Sequence, residues 1–413
     1  MPTAAVQRKA EVRALARLAL DELGGAADGV GSVHRAISDR IFSGVRLGLG
    51  NSAKPVKIVH DAVTDGVYSV VGDTARRVAR LAGETADLTI DAPPSQTRRG
   101  ALLLGILQGL RGDALAAESS ILASPMTIRI DGMPVPVTTT GLADAFPRAT
   151  GRIVVFMHGL METEFGWHLG GRRTYGQRLA EDLDYTPIEI RFNSGRRISD
   201  NGSELCGLLG DLVEQWPVDV EQIALVGHSM GGLIARSACY RAQLDGEYWA
   251  SRVKHVVCLG SPHLGAPLEG LVHYGSAALA LLPETRPFGN LLRRRSGGIR
   301  DLRAGSLVDE DWRDRDADSL RAAVCKEVPL LDGAMHCFVS ASVTHNPRHP
   351  LGMVIGDGLV LVPSASGRNR KRTIGFRKED GIHLGPANHF TLLNDDRVYD
   401  KLREWLNTAP MSV

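Results

Sequence analysis

The sequence has few of the features that mark specialised classes of protein. Its 413 residues contain five cysteines, an odd number, and no two of them form a CxxC pair. Neither a disulfide framework nor a thiolate zinc site is therefore indicated. The 48 Lys and Arg residues nearly cancel the 47 Asp and Glu residues. A net charge of +1 argues against a dedicated nucleic-acid-binding protein, which would carry a basic excess.

Long hydrophobic runs are also missing. Charges interrupt the first 25 residues every few positions, so no apolar segment of a secretory signal is present there. The longest apolar run, Ala101–Leu110, is about half of what a bilayer crossing needs. We therefore expect a soluble, cytoplasmic protein without a transmembrane segment, and peripheral contact with a membrane stays an open alternative.

Residues 1–120 have the periodicity of helices. Apolar side chains recur there at spacings of three and four, which is the repeat of one helix face. The sequence predicts a helical N-terminal extension that packs against the rest of the chain or forms a homo-oligomer with a second copy. The apolar positions are Val12, Leu15, Ala19, Leu23, Val56, Val59, Val63, Val67 and Val70.

After residue 125 the pattern changes to short β-type runs that alternate with helical ones. This alternation predicts a mainly parallel central sheet with helices on both faces. We assign residues 121–413 to this α/β domain, with a helical cap inserted at about 264–330. The predicted strands are Met126–Ile130, Ile153–Met157, Ile188–Phe192, Ile223–Val226, Val253–Leu259, Cys337–Ser340 and Thr373–Phe376.

The pentad Gly227–Gly231 reads Gly-His-Ser-Met-Gly and matches the pattern G-x-S-x-G. An apolar strand runs directly into it and a helical segment, Gly231–Arg241, follows. A strand, a tight turn and a helix are what a nucleophile elbow requires, because the turn lifts the serine above the end of the sheet. Ser229 is therefore the candidate nucleophile.

A serine hydroxyl needs a base and an orienting carboxylate before it can attack a carbonyl. In this arrangement the acid and then the histidine follow the serine along the chain. His389 comes after the last predicted strand and is the preferred base, with His383 as the alternative. Asp357, between Gly356 and Gly358, follows the penultimate strand and is the preferred acid over Asp332.

An oxyanion hole needs two backbone amides near the serine. Met230 supplies the first amide because it follows the nucleophile. The strand Ile153–Met157 ends in His158-Gly159, so the Leu160 amide is the predicted second donor, with Met161 as the near alternative. His158 is expected to fix this loop by hydrogen bonding.

These motifs resemble those of α/β-hydrolase lipases and esterases, including bacterial triacylglycerol lipases and GPI inositol-deacylase-like serine esterases. The resemblance covers about residues 150–408 and rests on Gly227–Gly232, His158-Gly159, Gly260–Gly265, Gly356–Gly358 and Asn388–Phe390. It implies the α/β-hydrolase fold, and it implies the same roles for Ser229, Asp357, His389, Leu160 and Met230.

We therefore expect a serine carboxylic-ester hydrolase that forms an acyl-enzyme and needs no cofactor or metal. Apolar residues from Leu268 to Leu282 in the cap favour a small-molecule ester or lipid with an apolar acyl group. Two alternatives remain open. The same triad serves an acyltransferase or thioesterase, and a silent scaffold could keep the fold without catalysis.

Overall fold

A computed structural model describes residues 3–23, 92–266, 296–313, 325–346, 349–370 and 372–408. The apolar stripe predicted over residues 56–70 and the apolar part of the cap, 268–282, lie outside the described residues. The chain divides into two compact units. The first comprises Met1–Ile106 with Ser119–Leu122, and the second comprises Leu107–Glu118 with Ala123–Val413.

In the described part of the second unit, eight strands form one sheet with the order β2-β1-β4-β3-β5-β6-β7-β8. Strand β1 is antiparallel to both β2 and β4, whereas every pairing from β4 through β8 is parallel. The strands are β1 Thr127–Ile130, β2 Met133–Pro134, β3 Arg152–Met157, β4 Thr186–Arg191, β5 Gln222–His228, β6 Val253–Leu259, β7 Met335–Ala341 and β8 Gly381–Leu384.

The central strands are apolar throughout because both faces of the sheet are covered. In β3, Ile153 and Val155 belong to one core cluster, while Val154 and Phe156 belong to the other. All four side chains are at most 1% exposed. Successive strand residues point to opposite faces, so each strand anchors two cores, and each fully buried side chain contributes about 1.5–3 kcal/mol.

Helices cover both faces. The described helices are α1 Ala4–Leu23, α2 Arg98–Ala117, α3 Thr139–Ala145, α4 Tyr175–Leu183, α5 Ile198–Gln215, α6 Met230–Asp245, α7 Gly297–Leu302, α8 Pro350–Ile355, α9 Val362–Ala365 and α10 Asp396–Asn407. Leu209 of α5 and Leu233 of α6 pack in the first core. Leu179 of α4 and Leu402 of α10 pack in the second. The predicted mainly parallel sheet with helices on both faces is confirmed.

The described part of the N-terminal unit contains α1 and the first half of α2. Glu11 on α1 is 2% exposed, and its carboxylate accepts hydrogen bonds from the Ser95 amide at 2.9 Å and the Ser95 hydroxyl at 2.6 Å. These two bonds satisfy a buried carboxylate that would otherwise be costly. None of the described helices is long and apolar enough to cross a membrane.

The strand predicted at Thr373–Phe376 is wrong. Thr373 makes only an isolated bridge to Arg368, and Gly375 adopts a φ of 85° that interrupts extended backbone. The amide of Ile374 instead donates to the carbonyl of Gly367 across a turn. Within the described residues the last strand is β8, which has only four residues, one of them the polar His383, and so gives no clear β pattern in the sequence.

Candidate active site

The turn between β5 and α6 holds Ser229 in a strained conformation. Its φ is 52° and its ψ is −118°, an unusual combination for a residue with a side chain. The Ser229 amide donates to the carbonyl of Leu259 on β6 at 2.8 Å, which ties the turn to the neighbouring strand. The residue is 8% exposed. The serine therefore lies at the carboxyl end of the sheet, where open α/β sheets place their sites.

Glycines allow this turn to pack closely. A Cβ atom on Gly227 would lie 2.3 Å from the Gly232 amide nitrogen, and one on Gly231 would lie 2.4 Å from the Met157 carbonyl oxygen. Both obstacles are backbone atoms that cannot rotate away. The two outer positions of the G-x-S-x-G pattern therefore require glycine because strand β5, helix α6 and strand β3 meet there without room for a side chain.

His389 and Asp357 form a buried pair. The Nδ1 atom of His389 lies 2.8 Å from Oδ2 of Asp357, and the two side chains are 3% and 1% exposed. The His389 amide also donates to the Asp357 carbonyl at 3.0 Å. Burial acts to lower the pKa of His389, but the charge and hydrogen bond of Asp357, with a further contribution from Glu162, raise it above its ordinary value.

The second oxygen of Asp357 is occupied by the backbone. Oδ1 accepts from the amides of Leu359 at 3.0 Å and Val360 at 2.8 Å. The flanking Gly356 and Gly358 have φ values of 62° and 104° and form the turn that makes these bonds possible. The carboxylate is thus fixed with one oxygen toward the backbone and the other toward the imidazole.

The histidine loop lies against the serine turn. His228, which precedes Ser229, has its ring centroid 4.6 Å from that of His389, and its Nε2 atom is 3.1 Å from the His389 carbonyl oxygen. A Cβ atom on Gly260, directly after β6, would lie 3.2 Å from the His389 ring. The structure therefore brings the segments that carry Ser229, Asp357 and His389 together at one edge of the sheet.

The two alternative residues lie in other surroundings. His383 is on β8, with Nδ1 3.1 Å from the Ser340 hydroxyl and Nε2 3.1 Å from the Ser342 hydroxyl. Both ring nitrogens therefore have a serine partner: Ser340 lies on β7, and Ser342 directly follows β7. Asp332 is exposed in the turn before β7. Neither residue shares the buried pairing seen for His389 and Asp357.

The loop after β3 carries the candidate oxyanion donors. Met161 has a φ of 60°, and its amide donates to the Ser194 hydroxyl at 3.1 Å. The amide of Gly159 donates to the Glu162 carboxylate at 2.9 Å. A Cβ atom on Gly159 would lie 3.0 Å from the Ser229 Cβ, so this loop runs beside the serine. The amides on both sides of Leu160 therefore have partners within the protein, which favours Leu160 over Met161 as a donor to a ligand.

His158 holds this loop to the next strand. Its Nδ1 atom is 2.8 Å from the Gly159 carbonyl oxygen, and its Nε2 atom accepts from the Phe192 amide at 3.2 Å. One nitrogen donates and the other accepts, which is the pattern of a neutral imidazole. Complete burial lowers the pKa of His158 to about 4, so the ring stays uncharged at neutral pH.

Glu162 was not predicted from the sequence, yet its carboxylate contacts His228 and the Gly159 amide. The available signal was an acidic residue three positions after Gly159 in the oxyanion loop, but its partner lies 66 positions downstream. Among the described residues, no group of three or more His, Cys, Asp or Glu side chains is arranged to hold a metal ion.

Comparison with known proteins is consistent with this geometry. Residues 190–274 match the family described as a PGAP1-like alpha/beta domain, a stretch that contains β5, the serine turn and α6. No curated protein matches the sequence. The sheet and the family match give the α/β-hydrolase fold, as predicted, and they support the predicted resemblance to lipases and esterases.

Several solved structures are similar to this chain. The Bacillus licheniformis lipase BlEst2 in its propeptide form is 19% identical with a TM-score of 0.42, and the match covers 65% of this chain but only 52% of that one. The mature form of BlEst2 is 19% identical with a TM-score of 0.40 over 61% of this chain and 91% of that one. The Pyrococcus furiosus esterase Pf2001 is 13% identical with a TM-score of 0.35 over 64% and 83%. These values are too low to transfer an activity.

Proposed function

We propose that the chain is a serine hydrolase that cleaves carboxylic esters of small molecules or lipids through an acyl-enzyme. The observation that carries the proposal is the buried Asp357–His389 pair, whose histidine contacts His228, the residue before a serine held at positive φ on the strand-to-helix turn. Activated nucleophiles have this composition: a hydroxyl, an imidazole and a carboxylate that orients the imidazole.

In the proposed mechanism, Ser229 Oγ attacks the ester carbonyl carbon while Nε2 of His389 takes the hydroxyl proton. Asp357 holds the ring with its proton on Nδ1 and stabilises the imidazolium that forms. The carbonyl oxygen becomes an oxyanion, which accepts hydrogen bonds from the Met230 and Leu160 amides. The N-terminus of α6 adds a favourable dipole for this negative charge.

Collapse of the tetrahedral intermediate breaks the bond to the leaving alcohol, which takes the proton from His389. The acyl group then remains on Ser229. Water repeats the sequence with the same base, and the carboxylic acid leaves as Ser229 regains its proton. The preference for an apolar acyl group rests on the sequence of the cap at 268–282 and stays a prediction.

A transferase or thioesterase uses the same first step and differs in the leaving group or in the second nucleophile. A silent scaffold would have no need for the buried pair. A fluorophosphonate probe separates the scaffold from the enzymes, because it reacts covalently with an activated serine. We expect wild type to be labelled and Ser229→Ala to be unlabelled, while Ser203→Ala, which removes an exposed serine on α5, is labelled like wild type.

If both wild type and Ser203→Ala remain unlabelled, the proposal is contradicted. A series of p-nitrophenyl esters and their thioester counterparts, with acyl chains of increasing length, then tests the substrate class. We expect hydrolysis of the oxygen esters to increase with chain length. Equal rates across the series would exclude the apolar acyl preference, and faster turnover of thioesters would favour the thioesterase.

A further inference from the structure

The carboxylate of Glu162 connects two segments of the candidate site. One oxygen accepts from the Gly159 amide at 2.9 Å, and both oxygens lie 3.1 Å from Nδ1 of His228. The His228 side chain is fully buried and that of Glu162 is 13% exposed. A carboxylate in such surroundings requires strong partners, because burial without them carries a large desolvation cost.

His228 has one partner at each ring nitrogen. Its Nδ1 faces the Glu162 carboxylate, and its Nε2 is 3.1 Å from the His389 carbonyl oxygen. The ring therefore links the Glu162 carboxylate to the backbone of the histidine loop.

The surrounding charges favour the ionised carboxylate. Burial acts to raise the pKa of Glu162, but the charge and hydrogen bond of His228, the Gly159 amide and the charge of His389 lower it below its ordinary value. The neighbouring His158 is neutral, and Glu164 is paired with Arg191, so neither residue donates a proton to Glu162. Glu162 therefore stays ionised at neutral pH and accepts from the Gly159 amide while it contacts the His228 ring.

We propose that Glu162 and His228 form a buried hydrogen-bonded pair that positions the oxyanion loop and the histidine loop around Ser229. Glu162 holds the Gly159 amide, one residue before the Leu160 donor. His228, one residue before Ser229, holds the backbone carbonyl of His389. The pair fixes the distance between the base, the nucleophile and the oxyanion donors. Its effect on rate rests on the proposed function, whereas the contact between Glu162 and His228 does not.

Nitrogen NMR of protein labelled with ¹⁵N-histidine tests the pair without reference to turnover. The His228 signals are identified by their loss in His228→Gln. We expect the Nδ1 signal of His228 to shift between wild type and Glu162→Ala, because this variant removes the carboxylate that contacts Nδ1. An identical Nδ1 signal in wild type and Glu162→Ala would overturn the proposal, whatever the activity of the protein.

Kinetics test the positioning role. Because a small misplacement of reacting groups can reduce rates by up to about 100-fold, we expect Glu162→Ala to lower kcat about 10- to 100-fold with little change in KM. Glu162→Gln, which can still accept from Gly159, should lose less. The double variant Glu162→Ala/His228→Gln should be no worse than the more damaging single variant, because the two residues act as a unit.

The control is Glu181→Gln, which changes an exposed carboxylate on α4 and should leave kcat unchanged. Fully additive losses in the double variant, or a loss confined to KM, would refute the positioning role. Failure of the proposed function would give a different result. Turnover and probe labelling would then survive in Ser229→Ala, while the NMR signature of the Glu162–His228 pair would remain.

Discussion

Replacement of Asp357 by asparagine gives a sharp test of the proposed triad, because the structure dictates how the new side chain must lie. Oδ1 of Asp357 accepts from two backbone amides, those of Leu359 and Val360. An asparagine oxygen would take this place, since an NH₂ group cannot accept those bonds. The NH₂ group would then face Nδ1 of His389 and donate to it. The ring would carry its proton on Nε2, which is the atom that must take the proton from Ser229.

The magnitude follows from the imposed tautomer. The two side chains are 3% and 1% exposed, so solvent has little access to restore the original tautomer. A triad whose histidine is held in the wrong tautomer typically loses about 10⁴-fold in kcat, which corresponds to about 5 kcal/mol of activation free energy. We therefore expect kcat/KM of Asp357→Asn to be lower by about 10³-fold or more.

Hydrolysis of a p-nitrophenyl ester measures kcat/KM, and thermal unfolding verifies that the fold is retained. The Leu359 and Val360 bonds survive in the asparagine variant, so unfolding should change little. Asp357→Ala, which imposes no tautomer, should be no less active than Asp357→Asn. The matched control is Asp332→Asn, which changes an exposed carboxyl in the turn before β7. Asp357→Asn within about tenfold of wild type, or a severe loss in Asp332→Asn, would refute the assignment.

Three further predictions follow from the site and the turn. Because Asp357 and Glu162 raise the pKa of His389 above its ordinary 6.5, the acid limb of the kcat/KM profile should have its midpoint above pH 6.5. The same proton binds more tightly to the folded than to the unfolded protein, so His389 stabilises the fold below pH 6.5, and this contribution disappears as the pH rises through the folded pKa. A midpoint below 6.5 would contradict this. His383→Ala should lose about 1–2 kcal/mol of unfolding free energy with its bonds to Ser340 and Ser342, yet keep kcat within about threefold. A severe loss of kcat in His383→Ala would instead identify His383 as the base. Gly231→Ala should lower the unfolding free energy by about 2 kcal/mol or more, because its Cβ would meet the Met157 carbonyl at 2.4 Å. Gly207→Ala on α5, where a Cβ meets nothing within 4 Å, should instead gain up to about 1 kcal/mol in denaturant unfolding, and equal effects at the two glycines would argue against the steric explanation.

The sequence predicted those parts of the fold in which local pattern and burial agree. Strand β6 has the predicted bounds, Val253–Leu259, because a strand covered on both faces reads as an uninterrupted apolar run. The run Thr373–Phe376 failed for the opposite reason: its apolar side chains pack in a turn, and Gly375 at positive φ is invisible in a hydrophobicity pattern. Strand β8 has only four residues, too few for periodicity to identify.

The candidate site divides in the same way. Ser229 could be predicted as the nucleophile because the turn, the strand and the helix that hold it are contiguous in sequence, and its role stays a prediction. His389 and Asp357 were predicted from the order of serine, acid and histidine along the chain. Their 2.8 Å contact joins residues that no local sequence pattern connects. Glu162 was missed because its importance comes from a contact with His228, 66 positions away, that no motif records. Cap residues 268–282 and the acyl preference that rests on them stay predictions.

The contact between His228 and the His389 carbonyl joins positions 161 residues apart. In the proposed mechanism, Ser229 is therefore synthesised long before His389, the base that activates it. A nascent chain would carry an inert alcohol through most of its synthesis, and reactivity would begin only when the segment after β8 docks. Partly synthesised chains would therefore not cleave esters by this mechanism.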